Sequence, residues 1–460
     1  MRLIYGSEVY NNFEAGKYTL KQAHAIQHNL GFFEKAMDKL GYKNPLWLGS
    51  RSGKFLPNYA DAFFWDWNGL NMQGADFGMH GSGKTSRATL LMMQFNFFVR
   101  TEGELGLPCL IFDRKGGEHL SNHEPLANYL SKPLKNLNLI PFGTGARQVN
   151  VTPAFLTGET HYGREKIIPF KMSFADFLHA SEGDDWLDRA LGIEETTTES
   201  EAKKYDAARR VKSDAIALCK FVNEKKGIPL TFSLFKWAIE KTNEKLGEQR
   251  KSIALESKLR GFLRRGFFGD NMPMNFLEFI KQGKIINYIS STRLALNHAL
   301  QVNEFTLHAR LFEERKARQI KQVFVFSDEH DLISEAGATD NLLKGTWEMI
   351  AGKERWASNA YLKSTQFPNS IPLNERKELD WYITSRLDAK TIKALEPVNN
   401  SEAVLHRIEY LHYPRTGLKQ CALVTKDSID TFYQAPPFCM IDVEQGEEVK
   451  KRREEAVLWT

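Results

Sequence analysis

Residues 78–85 form a glycine-rich segment whose spacing is typical of a phosphate-binding loop. The segment reads Gly-Met-His-Gly-Ser-Gly-Lys-Thr. In such loops the glycines let backbone N–H groups converge on phosphate oxygens, the lysine contacts the β- and γ-phosphates, and the next hydroxyl ligates Mg²⁺. The pattern predicts a catalytic role for Lys84 and a metal-ligating role for Thr85. The residues predicted to contact ATP are Gly78, Gly81, Ser82, Gly83, Lys84, Thr85 and Ser86. The plainer interpretation is a glycine turn with a surface lysine.

Two acidic residues follow a second candidate strand. The apolar residues 323–326 lead through Ser327 to Asp328 and Glu329. Ligands of open α/β sheets bind at the carboxyl ends of strands, where these carboxylates would lie. Asp328 is predicted to hold Mg²⁺ through water, and Glu329 is predicted to polarise the water that attacks the γ-phosphate. Without the phosphate-binding loop, the same residues would be interpreted as a solvated turn.

A glutamine ends a third candidate strand. Residues 362–366 read Leu-Lys-Ser-Thr-Gln, and Pro368 follows shortly after them. At such a position the Gln366 amide can hydrogen-bond the γ-phosphate or the attacking water. The alternative is an ordinary turn at the end of a strand.

Helical and strand-like segments alternate around these motifs. Residues 86–99 are predicted to form a helix, and the predicted strands include 107–112, 285–289, 322–326, 360–363 and 381–383. Such alternation is typical of an α/β fold with a mainly parallel sheet. Between residues 172 and 280 the sequence is charge-rich and carries apolar residues at helical spacing, which indicates an all-helical insertion. The predicted organisation is an N-terminal preface (1–68), a nucleotide-binding domain (69–171 and 281–445), the all-α insertion (172–280) and a basic C-terminal tail (446–460).

Composition excludes several classes of protein. The chain has 460 residues, of which 42% are hydrophobic and 26% are charged, a balance typical of globular proteins. No segment approaches the ~18 consecutive apolar residues of a membrane helix, so no integral membrane segment is predicted. The four cysteines lie far apart, which argues against a disulfide framework or a zinc site and favours the reducing cytoplasm. The net charge of +5 permits nucleic-acid binding without demonstrating it.

Together the motifs resemble those of a known ATPase superfamily. Residues 110–118 read Leu-Ile-Phe-Asp-Arg-Lys-Gly-Gly-Glu and lie between the phosphate-binding loop and the other two motifs. This order is similar to that of the FtsK/HerA superfamily of hexameric DNA-pumping ATPases. The Asp-x-Lys-Gly-Glu-like segment most resembles the branch of type IV secretion coupling proteins and conjugative DNA-transfer ATPases, although one extra glycine precedes Glu118.

The resemblance implies a fold, a function and partners. It implies a RecA-like P-loop core that binds ATP and Mg²⁺, assembles as a homohexameric ring and hydrolyses ATP to move double-stranded DNA in transfer, packaging or segregation. Secretion, packaging or nuclease proteins would be its partners, and its cytoplasmic location could be peripheral to a membrane complex. Such rings use an arginine from the neighbouring subunit to stabilise the transferring phosphate. Arg355 and Arg386 are the candidates, and each could instead be an ordinary surface or salt-bridging residue.

Other interpretations remain open from the sequence. The chain could be a small-molecule P-loop kinase, or an assembly protein that uses ATP only as a switch. A cluster of basic residues with interleaved aromatics near the end of the insertion could contact DNA, or could be a solvated helix face. Its cations are Lys258, Arg260, Arg264 and Arg265.

Overall fold

In the computed structural model the described residues are 39–53, 61–69, 73–79, 81–97, 99–101, 104–114, 119, 148–153, 160–162, 165–170, 173–179, 187–188, 191, 199–246, 252–264, 269–270, 276–290, 298–334, 359–396, 401–412 and 419–435. The predicted basic tail and most of the predicted preface therefore lie outside the described residues.

One large sheet organises these residues. The strands are β1 (Pro45–Ser50), β2 (Ala62–Asp66), β3 (Gln73–Phe77), β4 (Arg100–Thr101), β5 (Glu104–Leu105), β6 (Cys109–Asp113), β7 (Gln148–Pro153), β8 (Thr160–Tyr162), β9 (Glu165–Phe170), β10 (Ile285–Ile289), β11 (Phe324–Ser327), β12 (Ala360–Thr365), β13 (Trp381–Ser385), β14 (Gln420–Thr425) and β15 (Ile429–Gln434). Thirteen of these strands form one sheet in the order β2-β1-β15-β14-β13-β3-β12-β11-β6-β10-β7-β9-β8, and β4 pairs with β5 separately.

The centre of the sheet is parallel and its margins are antiparallel. Every neighbouring pair from β13 through β3, β12, β11, β6, β10 and β7 to β9 is parallel. The pairs β13–β14, β14–β15, β15–β1, β1–β2 and β8–β9 are antiparallel. The predicted α/β fold with a mainly parallel sheet is thus confirmed. Strands β1 and β2, which fall within the predicted preface, extend this same sheet.

Helices lie between the strands in sequence. They are α1 (Lys84–Phe97), α2 (Phe174–His179), α3 (Glu199–Lys226), α4 (Phe232–Lys245), α5 (Ile253–Arg264), α6 (Phe276–Lys281), α7 (His298–Lys316), α8 (Asp331–Ser334), α9 (Leu373–Lys377), α10 (Ala389–Ile392) and α11 (Glu402–Glu409). None of the helices in the described part of the chain is both long and apolar enough to span a bilayer.

Helices cover both faces of the sheet because successive side chains of its buried strands point to opposite sides. Cys109 and Ile111 of β6 share a core with α1, whose Phe95 ring stacks on Phe324 of β11 at 4.0 Å between centroids. Leu110 and Phe112 of β6 instead pack with α2–α5. The elements described within the predicted 172–280 insertion are helices, and their core is continuous with this face of the sheet. The predicted division into a nucleotide-binding domain and an all-α insertion stays a prediction.

Strand β3 forms at the centre of the sheet despite a polar sequence, Gln-Gly-Ala-Asp-Phe. All five residues are buried. The Gln73 N–H donates to the Asp380 carboxylate at 3.0 Å, and the Asp380 N–H donates to the Gln73 carbonyl at 2.8 Å. Asp76 forms an ion pair with Arg87 of α1. Buried polar groups are tolerated when they are hydrogen-bonded, so these partners explain why so few apolar residues suffice here.

Candidate nucleotide-binding site

Four motif segments meet at one edge of the sheet. The β3–β12 register pairs Phe77 with Thr365, and the β3–β13 register pairs Phe77 with Thr384. The β11–β12 register pairs Ser327 with Lys363. The residues that follow β3, β11, β12 and β13 therefore emerge at the same carboxyl edge. Strands lie ~4.8 Å apart, so β3 and β11, with β12 between them, are separated by about 10 Å. This spacing leaves room for the triphosphate of a nucleotide between the loop that follows β3 and the acidic pair that follows β11.

The loop between β3 and α1 has a geometry that depends on its glycines. Gly81 and Gly83 have φ angles of 74° and 85°, in the left-handed region that favours glycine. A side chain on Gly78 would collide with the hydroxyls of Ser82 and Ser385. The backbone of the loop can therefore approach a ligand closely before α1 begins at Lys84.

Lys84 lies within this loop. Its ammonium donates to the carbonyls of Gly78 at 2.5 Å and Met79 at 3.4 Å, and the residue is 7% exposed. Thr85 and Ser86 follow it in the first turn of α1 and are half-buried. The unpaired N–H groups and positive dipole end of a helix favour an anion at this position. The arrangement brings one cation, two hydroxyls and a helix N-terminus together.

A buried polar cluster supports the loop from behind. Arg87 binds Asp76 at 2.6 Å between Nη2 and Oδ1, and its Nη1 donates to the Ser82 carbonyl at 2.9 Å. The same Nη1 donates to the Gln434 side-chain carbonyl at 2.8 Å, and Gln434 Nε2 donates to the Gly83 carbonyl at 3.1 Å. Burial opposes the charge of Arg87, but Asp76 offsets it, so the pKa of Arg87 lies above its ordinary value. Arg87 thus stays charged and ties α1 to β3 and β15.

Removing Arg87 is expected to destabilise the whole fold. In Arg87→Met the Asp76 carboxylate would remain buried without its counter-charge, which typically costs about 3–5 kcal/mol. The free energy of unfolding measured in urea should fall by that amount. Arg210→Met, at an exposed position of α3, serves as the matched control and should leave stability nearly unchanged. Equal small effects of the two substitutions would show that the ion pair does not support the fold.

Asp328 and Glu329 lie where the sequence predicts them, directly after β11. Asp328 is fully buried, and its N–H donates to the Phe112 carbonyl at 3.2 Å. His119 lies beside it, with 3.9 Å between His119 Nε2 and Asp328 Oδ2. Glu329 is half-buried and has a φ of 46°, which is uncommon for a residue with a side chain. Its N–H donates to Asp328 Oδ1 at 3.1 Å. Unusual backbone angles of this kind often occur at functional positions.

Arg114 anchors the strand end beneath these carboxylates. Arg114 follows β6 and is fully buried. It donates to Ser327 Oγ at 3.0 Å and to the Asp328 carbonyl, and it forms an ion pair with Glu304 of α7. Charged hydrogen bonds of this type are short and strong. The backbone that carries Asp328 is therefore fixed by Arg114, which Glu304 of α7 holds in turn.

A second cluster of buried polar side chains extends from Ser327 to β12. Ser327 Oγ lies 2.8 Å from His330 Nδ1, His330 Nε2 lies 3.0 Å from Glu375 Oε1, and Lys363 Nζ lies 2.6 Å from the same Glu375 oxygen. Burial lowers the pKa of His330 and outweighs the nearby Glu375 carboxylate. For Glu375 burial acts to raise the pKa, but Lys363 and His330 prevail and lower it to about 2. These contacts connect β11 and β12 below the site.

Gln366 and Arg386 also lie at this edge. Gln366 is half-buried after β12, and the preceding Thr365 donates to Asp331 of α8 at 3.1 Å. Arg386 is exposed and follows Ser385, whose hydroxyl lies near Gly78. Arg355, the other arginine candidate, lies outside the described residues, as do residues 115–118.

The basic cluster near the end of the insertion is partly described. Lys258, Arg260 and Arg264 are exposed on α5, whereas Leu255 and Leu259 of the same helix are buried. Arg265 lies outside the described residues. The helix thus presents a cationic face opposite an apolar one, an arrangement that fits both a solvated surface and a surface for phosphate contacts.

The oxygen ligands at the edge suit Mg²⁺. Thr85 offers a hydroxyl and Asp328 a carboxylate, and hard oxygen ligands of this type are those that Mg²⁺ prefers. Among the described residues no group of three or more His, Cys, Asp or Glu side chains could hold a metal ion. A Mg²⁺ ion that shares substrate phosphates and keeps several waters uses only one or two protein groups. The residues present therefore fit a nucleotide-bound Mg²⁺.

Sequence reasoning missed the residues that support the loop. Arg87, Gln434 and Lys419 contact the loop, the last through a hydrogen bond from its ammonium to the Gly81 carbonyl. Lys419 and Gln434 lie more than 300 positions from the loop, and no local pattern relates them to it. Arg87 could not be identified from the sequence either, because a single arginine on a helix has no distinctive spacing.

Comparisons with known proteins found similarity in structure only. No family model matches the chain, and no curated protein matches it. The structure of VirB4 of Thermoanaerobacter pseudethanolicus is 10% identical over 88% of this chain and 98% of that chain, with a TM-score of 0.50. The plasmid coupling protein TrwB in complex with ADP and Mg²⁺ is 14% identical over 81% of this chain and 86% of that chain, with a TM-score of 0.43.

A shorter neighbour covers less of the chain. The genome packaging NTPase of Sulfolobus turreted icosahedral virus 2, in complex with AMPPCP, is 10% identical over 33% of this chain and 68% of that chain, with a TM-score of 0.25. The VirB4 likeness extends over nearly the whole of both chains at a TM-score of 0.50. The chain therefore has the P-loop NTPase fold of VirB4, and the resemblance predicted from its motifs is confirmed at the level of the fold.

Proposed function

We propose that this protein is an ATPase that couples hydrolysis to the movement of DNA. The observation that carries the proposal is the convergence of Lys84, Thr85, Asp328 and Glu329 at one carboxyl edge of a parallel sheet. A phosphate-binding loop and an acidic pair at this spacing supply the cation, the metal ligands and the general base that phosphoryl transfer to water requires. A likeness of fold to VirB4 agrees with this chemistry.

The loop would bind the triphosphate. Backbone N–H groups of the loop and the N-terminus of α1 would surround the phosphates, and the Lys84 ammonium would exchange its Gly78 and Met79 carbonyl partners for the β- and γ-phosphate oxygens. Thr85 and Asp328 would hold Mg²⁺, which neutralises charge on the β- and γ-phosphates when bound. Gly78 must stay without a side chain for the loop to reach this arrangement.

Glu329 would activate the attacking water. Glu329 is half-buried. The backbone beside it is fixed by Arg114, which donates to the Asp328 carbonyl, and by the Asp328 side chain, which accepts from the Glu329 N–H. A fixed carboxylate can accept the proton of a water in line with the γ-phosphate. Gln366 follows β12, the direct neighbour of the strand β3 that carries the loop, and would hydrogen-bond the γ-phosphate or that water. A small-molecule kinase would instead need the hydroxyl of its acceptor molecule at the position of this water.

Exposed apolar side chains support an assembly of several subunits. Phe367, which follows β12, is 52% exposed, and Met79, which follows β3, is 41% exposed at the carboxyl edge. A neighbouring subunit in a homohexamer would cover such residues and could supply Arg386 or Arg355 to the site. The exposed cations of α5 are candidates for contacts with double-stranded DNA phosphates.

ATP hydrolysis measured with and without long linear duplex DNA tests the proposal. The rate is expected to rise several-fold with DNA and to fall as salt screens the phosphate contacts. Lys84→Ala should show neither basal nor stimulated activity, whereas Lys226→Ala, at an exposed position of α3, should behave as the unmodified protein. Robust hydrolysis that ignores DNA would contradict the motor. Binding of ATP with only slow hydrolysis would favour the switch. Transfer of phosphate to an added small molecule would favour the kinase.

A further inference from the structure

We propose that the β14–β15 pair carries a shelf for the nucleoside end of ATP, formed by His412, Lys419 and Tyr433. We call these three residues the nucleoside shelf. The inference rests on the proposed function, because it concerns the other end of the same bound nucleotide. It assigns the purine ring to the His412 side chain and the ribose and α-phosphate region to Lys419.

The order of the strands sets the direction in which a nucleotide must lie. The acidic pair and Gln366 follow β11 and β12, which lie on one side of β3. The γ-phosphate must lie toward that side because the groups that act on it are there. Strands β13, β14 and β15 lie on the other side of β3. The nucleoside, at the opposite end of the molecule from the γ-phosphate, is therefore directed toward them.

The β14–β15 pair reaches the loop at the same carboxyl edge. Register pairs Ser385 at the end of β13 with Cys421 near the start of β14, and Gln420 with Tyr433. Lys419, immediately before β14, donates from its ammonium to the Gly81 carbonyl. Gly81 itself is exposed. A cation is thus held against the side of the loop that faces away from the acidic pair.

Two aromatic residues, His412 and Tyr433, lie at the same end of the β14–β15 pair as Lys419. The His412 N–H donates to Gln420 Oε1 at 2.9 Å, and the Gln420 N–H donates to the His412 carbonyl at 2.9 Å, so His412 is fixed beside the start of β14. The exposed His412 ring packs edge-on against the half-buried Tyr433 ring, with centroids 6.3 Å apart at an angle of 62°.

Tyr433 in turn is supported from behind. A side chain at Gly53 would place its Cβ 3.3 Å from the Tyr433 ring, so only glycine lets this backbone approach the ring without crowding it. Tyr433 is therefore a fixed support, and His412 is the ring that solvent reaches. A planar aromatic side chain stacks on a purine irrespective of the exact base, because every base has a π-face. The shelf thus provides affinity for a nucleoside, next to a loop that provides affinity for phosphates.

Binding of ATP and of inorganic tripolyphosphate to the same protein separates the two contributions. The unmodified protein is expected to bind ATP more tightly than tripolyphosphate. His412→Ala should weaken ATP binding about tenfold, as the loss of one stacked base does, and leave tripolyphosphate binding unchanged. Tyr433→Leu, which keeps an apolar support, should weaken ATP binding less. His406→Ala removes an exposed histidine of α11 and serves as the matched control.

The outcomes distinguish the shelf from the proposed function. If ATP and tripolyphosphate bind the unmodified protein equally, or if His412→Ala weakens both ligands alike, the shelf is wrong while the ATPase proposal stands. A stronger effect of His406→Ala on ATP binding would place the nucleoside elsewhere and would also overturn it. If neither ligand binds, or Lys84→Ala binds both as well as the unmodified protein, the nucleotide site itself is wrong.

Discussion

Replacing Glu329 by glutamine is expected to reduce ATP hydrolysis by about 10³-fold while ATP still binds, in keeping with the loss of a general base. The amide has nearly the shape of the carboxylate but cannot take a proton from water. Lys84, Thr85 and Asp328 are unchanged in the variant, so the contacts proposed to hold the nucleotide remain. The strained backbone at Glu329, with φ of 46°, is equally accessible to glutamine.

A single-turnover measurement tests this expectation. Radiolabelled ATP should stay bound and intact on Glu329→Gln over times in which the unmodified protein converts it to ADP. Glu396→Gln, at an exposed position after α10, should hydrolyse ATP normally. Loss of ATP binding in Glu329→Gln would mean that the carboxylate maintains the structure and is not the base.

An arginine supplied by a neighbouring subunit should have an effect of similar size. Removing such a residue typically costs ~10³-fold or more in rate, since it stabilises charge on the transferring phosphate and contributes little to ground-state binding. We expect this result for Arg355→Ala or for Arg386→Ala. Arg386 is exposed at the carboxyl edge, beside the strand that carries the loop.

Mixed assemblies show whether the arginine acts between subunits. Subunits with Arg386→Ala and subunits with Glu329→Gln would each be inactive alone. In a mixed ring some interfaces pair an intact Glu329 with an intact Arg386, so partial ATPase activity should return. The same mixture with Arg355→Ala tests the other candidate, and Arg407→Ala, an exposed residue of α11, is the control. Confirmed co-assembly without recovery for either arginine would contradict a site shared between subunits.

The positions of the strand-end residues could be predicted because local patterns determine them. A buried parallel strand is a short apolar run, and 285–289 and 360–363 correspond to β10 and the first part of β12. The predicted strand at 107–112 instead begins at Cys109, after Pro108, whose nitrogen cannot donate to a neighbouring strand. Because the strands are parallel, the residues that follow them are then predicted to lie together at one carboxyl edge.

The polar support of the site could not be predicted, because its pairs are distant in sequence. Asp76 lowers the apolar content of β3, so local patterns predict only a weak strand there. In the folded chain, however, the Asp76 carboxylate is needed to pair with Arg87. Glu375 and Lys363 each look like surface residues, and only the folded chain shows that they neutralise each other in the interior. Burial of a charge is a property of the pair, and pairing depends on tertiary structure.

The contacts of the loop with β14 and β15 have a consequence for the order in which the protein is made. Lys419 and Gln434 follow their loop partners by 338 and 351 positions, so a ribosome releases the loop long before it releases these residues. Even the two strands that flank β3 come from much later in the chain. Contacts this far apart in sequence form slowly, since a long chain segment must first be closed. The nascent chain therefore carries the glycine-rich loop through most of these positions before the contacts that support the loop can form.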